Sequence, residues 1–184
     1  MPEGKTKLSS FNNDWYNHGA SFLKRGFWFC FNVSFFCSRF PFNGIKIAFL
    51  RLFGAEIGKN VIIRPGVNIK SPWFLKIADN VWIGENVWID NLILVSIGSD
   101  CCISQGALLL TGNHDYKKST FDLITNGITL EEGVWIGAKA VVCPGVICRS
   151  HALLTVASVA TTSLESYSIY QGNPARKIRD RKIS

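Results

Sequence analysis

The stretch Ile57-Gly58-Lys59-Asn60-Val61-Ile62-Ile63-Arg64-Pro65-Gly66-Val67-Asn68-Ile69 carries an aliphatic residue at each sixth position. The same beat continues through Ile77, Ile83 and Ile89, then Ile97, Ile103 and Leu109. After a gap it returns at Leu130, Ile136, Val142, Cys148, Leu154 and Ala160. An amphipathic helix repeats its apolar face every three to four residues and a half-buried strand every two, so neither produces this period. A coil of very short strands does. A second, smaller apolar residue follows four positions after most of the leading aliphatics, at Val61, Val67, Val81, Val87, Cys101, Ala107, Val134, Ala140, Val146 and Ala152. Two inward positions per unit define a flat face.

Asn60, Gly66, Asn80, Asn86, Asp100, Gly106, Gly133 and Gly145 immediately precede these smaller residues. Glycine, asparagine and aspartate accept left-handed backbone conformations at low steric cost, so these positions predict corners. A six-residue unit cannot bury its own apolar pair. Successive coils must therefore stack into a solenoid. The spacing says nothing about the hand of that solenoid.

These residues resemble the hexapeptide-repeat acyltransferases, and the resemblance covers roughly residues 55 to 178. It implies an all-β fold, a left-handed parallel β-helix of triangular section, to which the sequence itself adds an apolar helical N-terminal segment and a protruding loop. It also implies acetyl-coenzyme A as donor and a homotrimer whose active sites lie between adjacent prisms.

The 184 residues suffice for one domain with a sizeable core plus an accessory segment. A chain 47% hydrophobic and 18% charged is too apolar for a disordered protein. The net charge of +7 is uneven, with Arg176, Lys177, Arg179, Arg181 and Lys182 crowding the C-terminus. Such a cluster reads either as a solvated basic tail or as a site for coenzyme phosphates or an anionic membrane surface. Nucleic acid is set aside as a partner because no binding motif accompanies the charge. Cys101 and Cys148 fall at inward repeat positions and no Cys-x-x-Cys pair exists, so the six cysteines read as core residues of a cytoplasmic protein, with neither disulfides nor zinc.

Taken in order, residues 1–20 read as a polar, irregular arm. Residues 21–54 are rich in phenylalanine, with Lys24, Arg25, Arg39, Lys46 and Arg51 interspersed, and predict two helices separated near Pro41-Phe42-Asn43-Gly44. The uncharged run Gly26–Ser38 is 13 residues long, against about 20 needed to cross a bilayer. Two readings stand for residues 21–53: a cap on the open end of the solenoid, or a segment making peripheral contact with the cytoplasmic face of a membrane. Residues 55–165 form the β-helix, interrupted by a loop over 111–128. Two short insertions, between Ile69 and Ile77 and between Ile89 and Ile97, are expected as bulged corners. Residues 166–184 make an exit segment and a basic tail.

Of three histidines, His114 is the one within the long excursion, in Thr111-Gly112-Asn113-His114-Asp115-Tyr116. Neutral imidazole suits a general base near pH 7, and the resemblance implies that His114 takes the proton of an acceptor hydroxyl. It further implies a saccharide acceptor, as in the colanic acid, nodulation-factor, maltose and galactoside O-acetyltransferases, with Asp90, Asn91 and Asp115 near that acceptor. Asp115 could also orient the imidazole. Coenzyme contacts are expected from Trp135, Gly137 and Ala138, from Val156, Ala157, Ser158, Thr161 and Thr162 in the next coil, and from Arg176 in Gly172-Asn173-Pro174-Ala175-Arg176. Thr162 stands where a lysine is common. An amino-acid or amine acceptor, or a non-catalytic binding solenoid, are the alternatives. A γ-type carbonic anhydrase is disfavoured because His18, His114 and His151 lack the spacing of its metal site.

Overall fold

The computed structural model describes residues 4–38 and 42–184. Pro41, placed above at the break between two helices, lies outside the described residues, as does Arg39. The core is a prism of three parallel sheets. One face stacks Glu56–Ile57, Leu75–Ile77, Val95–Ile97, Ile128–Leu130 and Ile147–Cys148. The second stacks Ile62–Ile63, Trp82–Ile83, Cys102–Ile103, Trp135–Ile136 and Leu153–Leu154, and ends in the antiparallel pair Ser168–Gly172 and Ala175–Asp180. The third stacks Asn68–Ile69, Trp88–Asp90, Leu108–Leu110, Val141–Val142 and Val159–Ala160.

The register explains the period. Ile57, Ile77, Ile97, Leu130 and Cys148 pair one above the next on the first face. Ile63, Ile83, Ile103, Ile136 and Leu154 do so on the second, and Ile69, Ile89, Leu109, Val142 and Ala160 on the third. All but Ile57 are buried, so each column is a continuous strip of core that no single coil could shield. The corners are left-handed where expected, from Asn60 at φ 55° to Gly145 at φ 81°, and Lys139, His151, Ala157 and Tyr167 adopt the same region without the residue types that favour it. Gly137 shows why a leading aliphatic is followed by glycine. A Cβ there would stand 2.6 Å from the Val156 nitrogen of the next coil.

The open end of the prism is covered by α1 (Phe22–Phe31), a π-helical turn over Asn32–Phe36, and α2 (Asn43–Leu52). The first coil has no coil before it, so its backbone groups need other partners. Asn43 supplies two of them: its amide donates to the Val61 carbonyl at 2.8 Å and accepts from the Ile63 N–H at 2.7 Å. The Trp28 indole donates to the Ile69 carbonyl, and Arg51 to the carbonyls of Ile57 and Gly58. Lys46 is fully buried, donating to the Arg64 carbonyl, and burial holds its pKa below the usual lysine value. The outer surface of these helices stays apolar, with Phe22, Leu23, Phe27 and Phe29 each more than 60% exposed.

All three interruptions of the period fall at the corner between the third and first faces, so they stack. The first is a 3-10 turn, Pro72–Phe74. The second is the bend from Asn91 to Leu94, and the third an antiparallel hairpin of Gly112–His114 with Leu123–Thr125. The stretch read as a loop over 111–128 is thus a paired ribbon. The N-terminal arm, read as irregular, is tied to this same corner. The Lys7 N–H donates to the Ser119 carbonyl, the Tyr16 hydroxyl to the Leu92 carbonyl, and the Trp73 indole to the His18 carbonyl. The basic C-terminal stretch is ordered too, since Ala175–Asp180 forms the last strand of the second face.

Candidate active site

Two buried side chains twenty residues apart, Asn91 and Thr111, fasten the insertion corner together. The Asn91 amide accepts from the Ser71 N–H and donates to the carbonyls of Ser71 and Phe74. The Thr111 hydroxyl donates to the Asp90 carbonyl at 2.9 Å and accepts from the Leu92 N–H at 2.8 Å. Asn91 and Thr111 are fully buried. The amide of Asn91 is therefore committed to holding the corner and does not face an acceptor, which corrects its expected place in the acceptor set.

On this base the hairpin presents His114. Phe121 sits in the left-handed region at φ 53°, which turns its carbonyl onto the imidazole Nδ1 at 2.8 Å. A carbonyl can only accept, so Nδ1 carries the proton and the neutral ring leaves its lone pair on Nε2. The Phe121 ring lies parallel to the imidazole at 4.3 Å, and Phe11 from the arm meets it edge-on at 5.6 Å. The ring is held on two sides with one nitrogen assigned. Asp115 plays no part in this. Its carboxylate accepts from the Lys117 N–H across the hairpin turn, and it does not line the groove beside His114.

That groove, of about 590 Å³, is bordered by Tyr16, His18, Lys70, Asp90, Asn113 and His114 among others. Lys70 Nζ stands 2.7 Å from Asp90 Oδ1, so the carboxylate is charge-paired at the rim. Burial, and then the Asp90 charge, push the Tyr16 phenol above its ordinary pKa, which keeps it a hydrogen-bond donor.

The residues expected at the coenzyme lie elsewhere on the prism. Trp135, Gly137 and Ala138, with Val156 and Ala157 one coil on, meet at the corner between the second and third faces, where the Ala157 N–H donates to the Ala138 carbonyl. Val156 is 65% exposed, and the Trp135 indole donates to the Ser104 hydroxyl. Ser158 departs from expectation. Its hydroxyl is buried, pairs with that of Thr155 and accepts from the Gly172 N–H, so it anchors the C-terminal hairpin and does not face solvent. Thr161 and Thr162 are exposed past the end of the third face. Arg176 is exposed on the last strand. Within one chain the third face separates His114 from this corner.

No family model matches the chain. The chain is 39% identical over 132 residues to a protein of Escherichia coli (strain K12) named as a colanic acid biosynthesis acetyltransferase, WcaF, covering 72% of each chain. The chain belongs to the hexapeptide-repeat acetyltransferases. A second relative in this family, the galactoside O-acetyltransferase of Escherichia coli (strain K12), is 27% identical over 130 residues, covering 68% of this chain and 64% of that one. A hexapeptide-repeat acetyltransferase of Vibrio cholerae O1 biovar eltor, solved with acetyl-coenzyme A, superposes with a TM-score of 0.80 at 21% identity and covers 96% of both chains. The fold is therefore the left-handed parallel β-helix.

For this hexapeptide-repeat acetyltransferase a cysteine nucleophile is poorly placed. Burial pushes the Cys101 thiol up to about 11, and that of the buried Cys148 higher still. Neither supplies a thiolate near neutral pH. Among the described residues no three His, Cys, Asp or Glu side chains gather as a metal site. Four residues of the site escaped the sequence reading: Phe11, Tyr16, Lys70 and Phe121. The spacing of Ser71, Asn91 and Thr111, which follows that of Ile69, Ile89 and Leu109, was the available signal for the corner. Nothing in the sequence signals that the arm returns to it.

Proposed function

We propose that this acetyltransferase moves the acetyl group of acetyl-coenzyme A to a saccharide hydroxyl, with His114 as general base. The observation carrying this reading is the Nδ1 contact with the Phe121 carbonyl, which leaves Nε2 as a lone pair in the groove. As the hydroxyl oxygen attacks the thioester carbonyl, Nε2 takes its proton. The same nitrogen then returns that proton to the departing coenzyme thiolate, so the enzyme ends unchanged and forms no covalent intermediate. Asp90 and Lys70 supply an acceptor and a donor for the remaining hydroxyls, as a saccharide requires. The relatives that act in colanic acid biosynthesis and on galactosides support that acceptor class.

The coenzyme corner is built for a long flexible arm. Val156 and Trp135 offer exposed apolar surface, small residues at Gly137, Ala138 and Ala157 leave room, and the exposed Arg176 offers its charge to a phosphate. Because His114 and this corner lie on different edges of one prism, we assign the complete site to two neighbouring chains of a homotrimer. His114→Asn is the direct test. Loss of a positioned base lowers turnover by ~10²–10⁴-fold, and the Michaelis constant for acetyl-coenzyme A should stay within a factor of about three because the coenzyme surface is untouched. Near-normal turnover in this variant would remove His114 from the mechanism.

A further inference from the structure

The groove at His114 does not end at the acceptor pocket. It shares Tyr16, His18, Lys70 and Leu92 with a second groove of about 460 Å³ that runs to the outer face of α1. The walls of the second groove are mostly aromatic and aliphatic, with Phe29, Val33, Trp73 and Trp88 among them. Phe29, Val33 and Trp88 are 66%, 59% and 45% exposed, so the apolar strip opens outward along the helix.

One charge in this groove lacks a counterion. Arg25 lines it, its Nε is buried without a hydrogen-bond partner, and no carboxylate pairs with it among the described residues. The sequence has no acidic residue from Trp15 to Ala55, and the nearby Asp90 is paired with Lys70. The field of this unpaired guanidinium is felt by His18, whose pKa is held low by burial and then by Arg25. A partly buried guanidinium against apolar walls is costly without an anion, and phosphate oxygens match its geometry.

We propose that the acceptor is an amphiphile, a saccharide joined through a phosphate ester to a hydrocarbon chain, with the sugar at His114, the phosphate at Arg25 and the chain along Phe29, Val33 and Trp88. This rests on the acceptor groove assigned above and deepens it. Such a substrate fills both grooves in the order in which their chemistry changes, from polar to cationic to apolar.

The test uses the full chain and a binding readout independent of turnover. Farnesyl diphosphate, inorganic diphosphate and farnesol are titrated separately while tryptophan emission is recorded, since Trp28, Trp73 and Trp88 all line the groove. Farnesyl diphosphate should bind at least tenfold more tightly than either fragment. Arg25→Gln should reduce it to the level of farnesol, and Trp88→Ala should weaken farnesyl diphosphate and farnesol together. Equal affinity for farnesyl diphosphate and inorganic diphosphate, or indifference to Arg25→Gln, would overturn the assignment. Phosphatidylglycerol vesicles form a further arm: if Arg25→Gln abolishes vesicle binding but not farnesyl diphosphate binding, Arg25 reads bilayer headgroups and the acceptor assignment fails. His114→Asn should keep farnesyl diphosphate binding, so a failure of the proposed base and a failure of this groove are read separately.

Discussion

Phe121 is the residue through which the structure most changes the view of the site. From sequence, Asp115 beside His114 reads either as a carboxylate that orients the imidazole or as ordinary loop polarity. In the folded hairpin the two point to different tasks. Asp115 closes the turn, and a backbone carbonyl turned by one left-handed residue fixes the imidazole. Phe121→Gly separates the two contributions of this residue, because glycine accepts φ 53° and keeps the carbonyl while removing the ring. An aromatic stacking contact contributes ~0.5–1.5 kcal/mol, so turnover should fall by about two- to tenfold, with the Michaelis constants little changed. Asp115→Ala should leave turnover within a factor of about three, because it touches the turn and not the ring. Steady-state kinetics on both variants checks this ordering. A larger loss for Asp115→Ala would restore the carboxylate to the catalytic group.

Among the elements, the repeating coils and the places where they are interrupted were legible, and the pairing within the interruptions was not. Ile63, Ile83 and Ile103 announce their column because burial forces one residue type at one interval. The hairpin over 112–125 carries no such constraint. Its two short strands leave Asn113 and Ile124 exposed, so no alternation marks them as paired. The arm was illegible for a related reason, since Tyr16 and Phe11 are held by long-range contacts that local sequence does not encode. Thr111 tests how far the corner depends on its buried ladder. Thr111→Val preserves shape but leaves the Leu92 N–H without its acceptor, a change that costs about 1–3 kcal/mol. The melting temperature should fall accordingly, while a Thr111→Ser variant, which keeps the hydroxyl, should lose less. The exposed face of α1 gives a separate expectation. Its apolar side chains beside Lys24, with no acid nearby, should carry the protein onto vesicles rich in anionic lipid, and added salt should release much of it. Equal sedimentation with neutral and anionic vesicles would count against a charged interface.

For the whole molecule, the placement of His114 and the coenzyme corner on separate edges is the feature that ties fold to function. Among the described residues no helix is long and apolar enough to cross a membrane. A trimer would close each edge against a neighbour and bring the two half-sites together. The most direct measurement mixes two variants that are inactive alone: His114→Asn, and the double variant Val156→Asp with Arg176→Glu, which places acid on the coenzyme surface. If each site takes its histidine from one chain and its coenzyme surface from the next, random hybrid trimers refolded from equal amounts regain about a quarter of wild-type turnover. Hybrids that remain as inactive as their parents would contradict a site shared between chains.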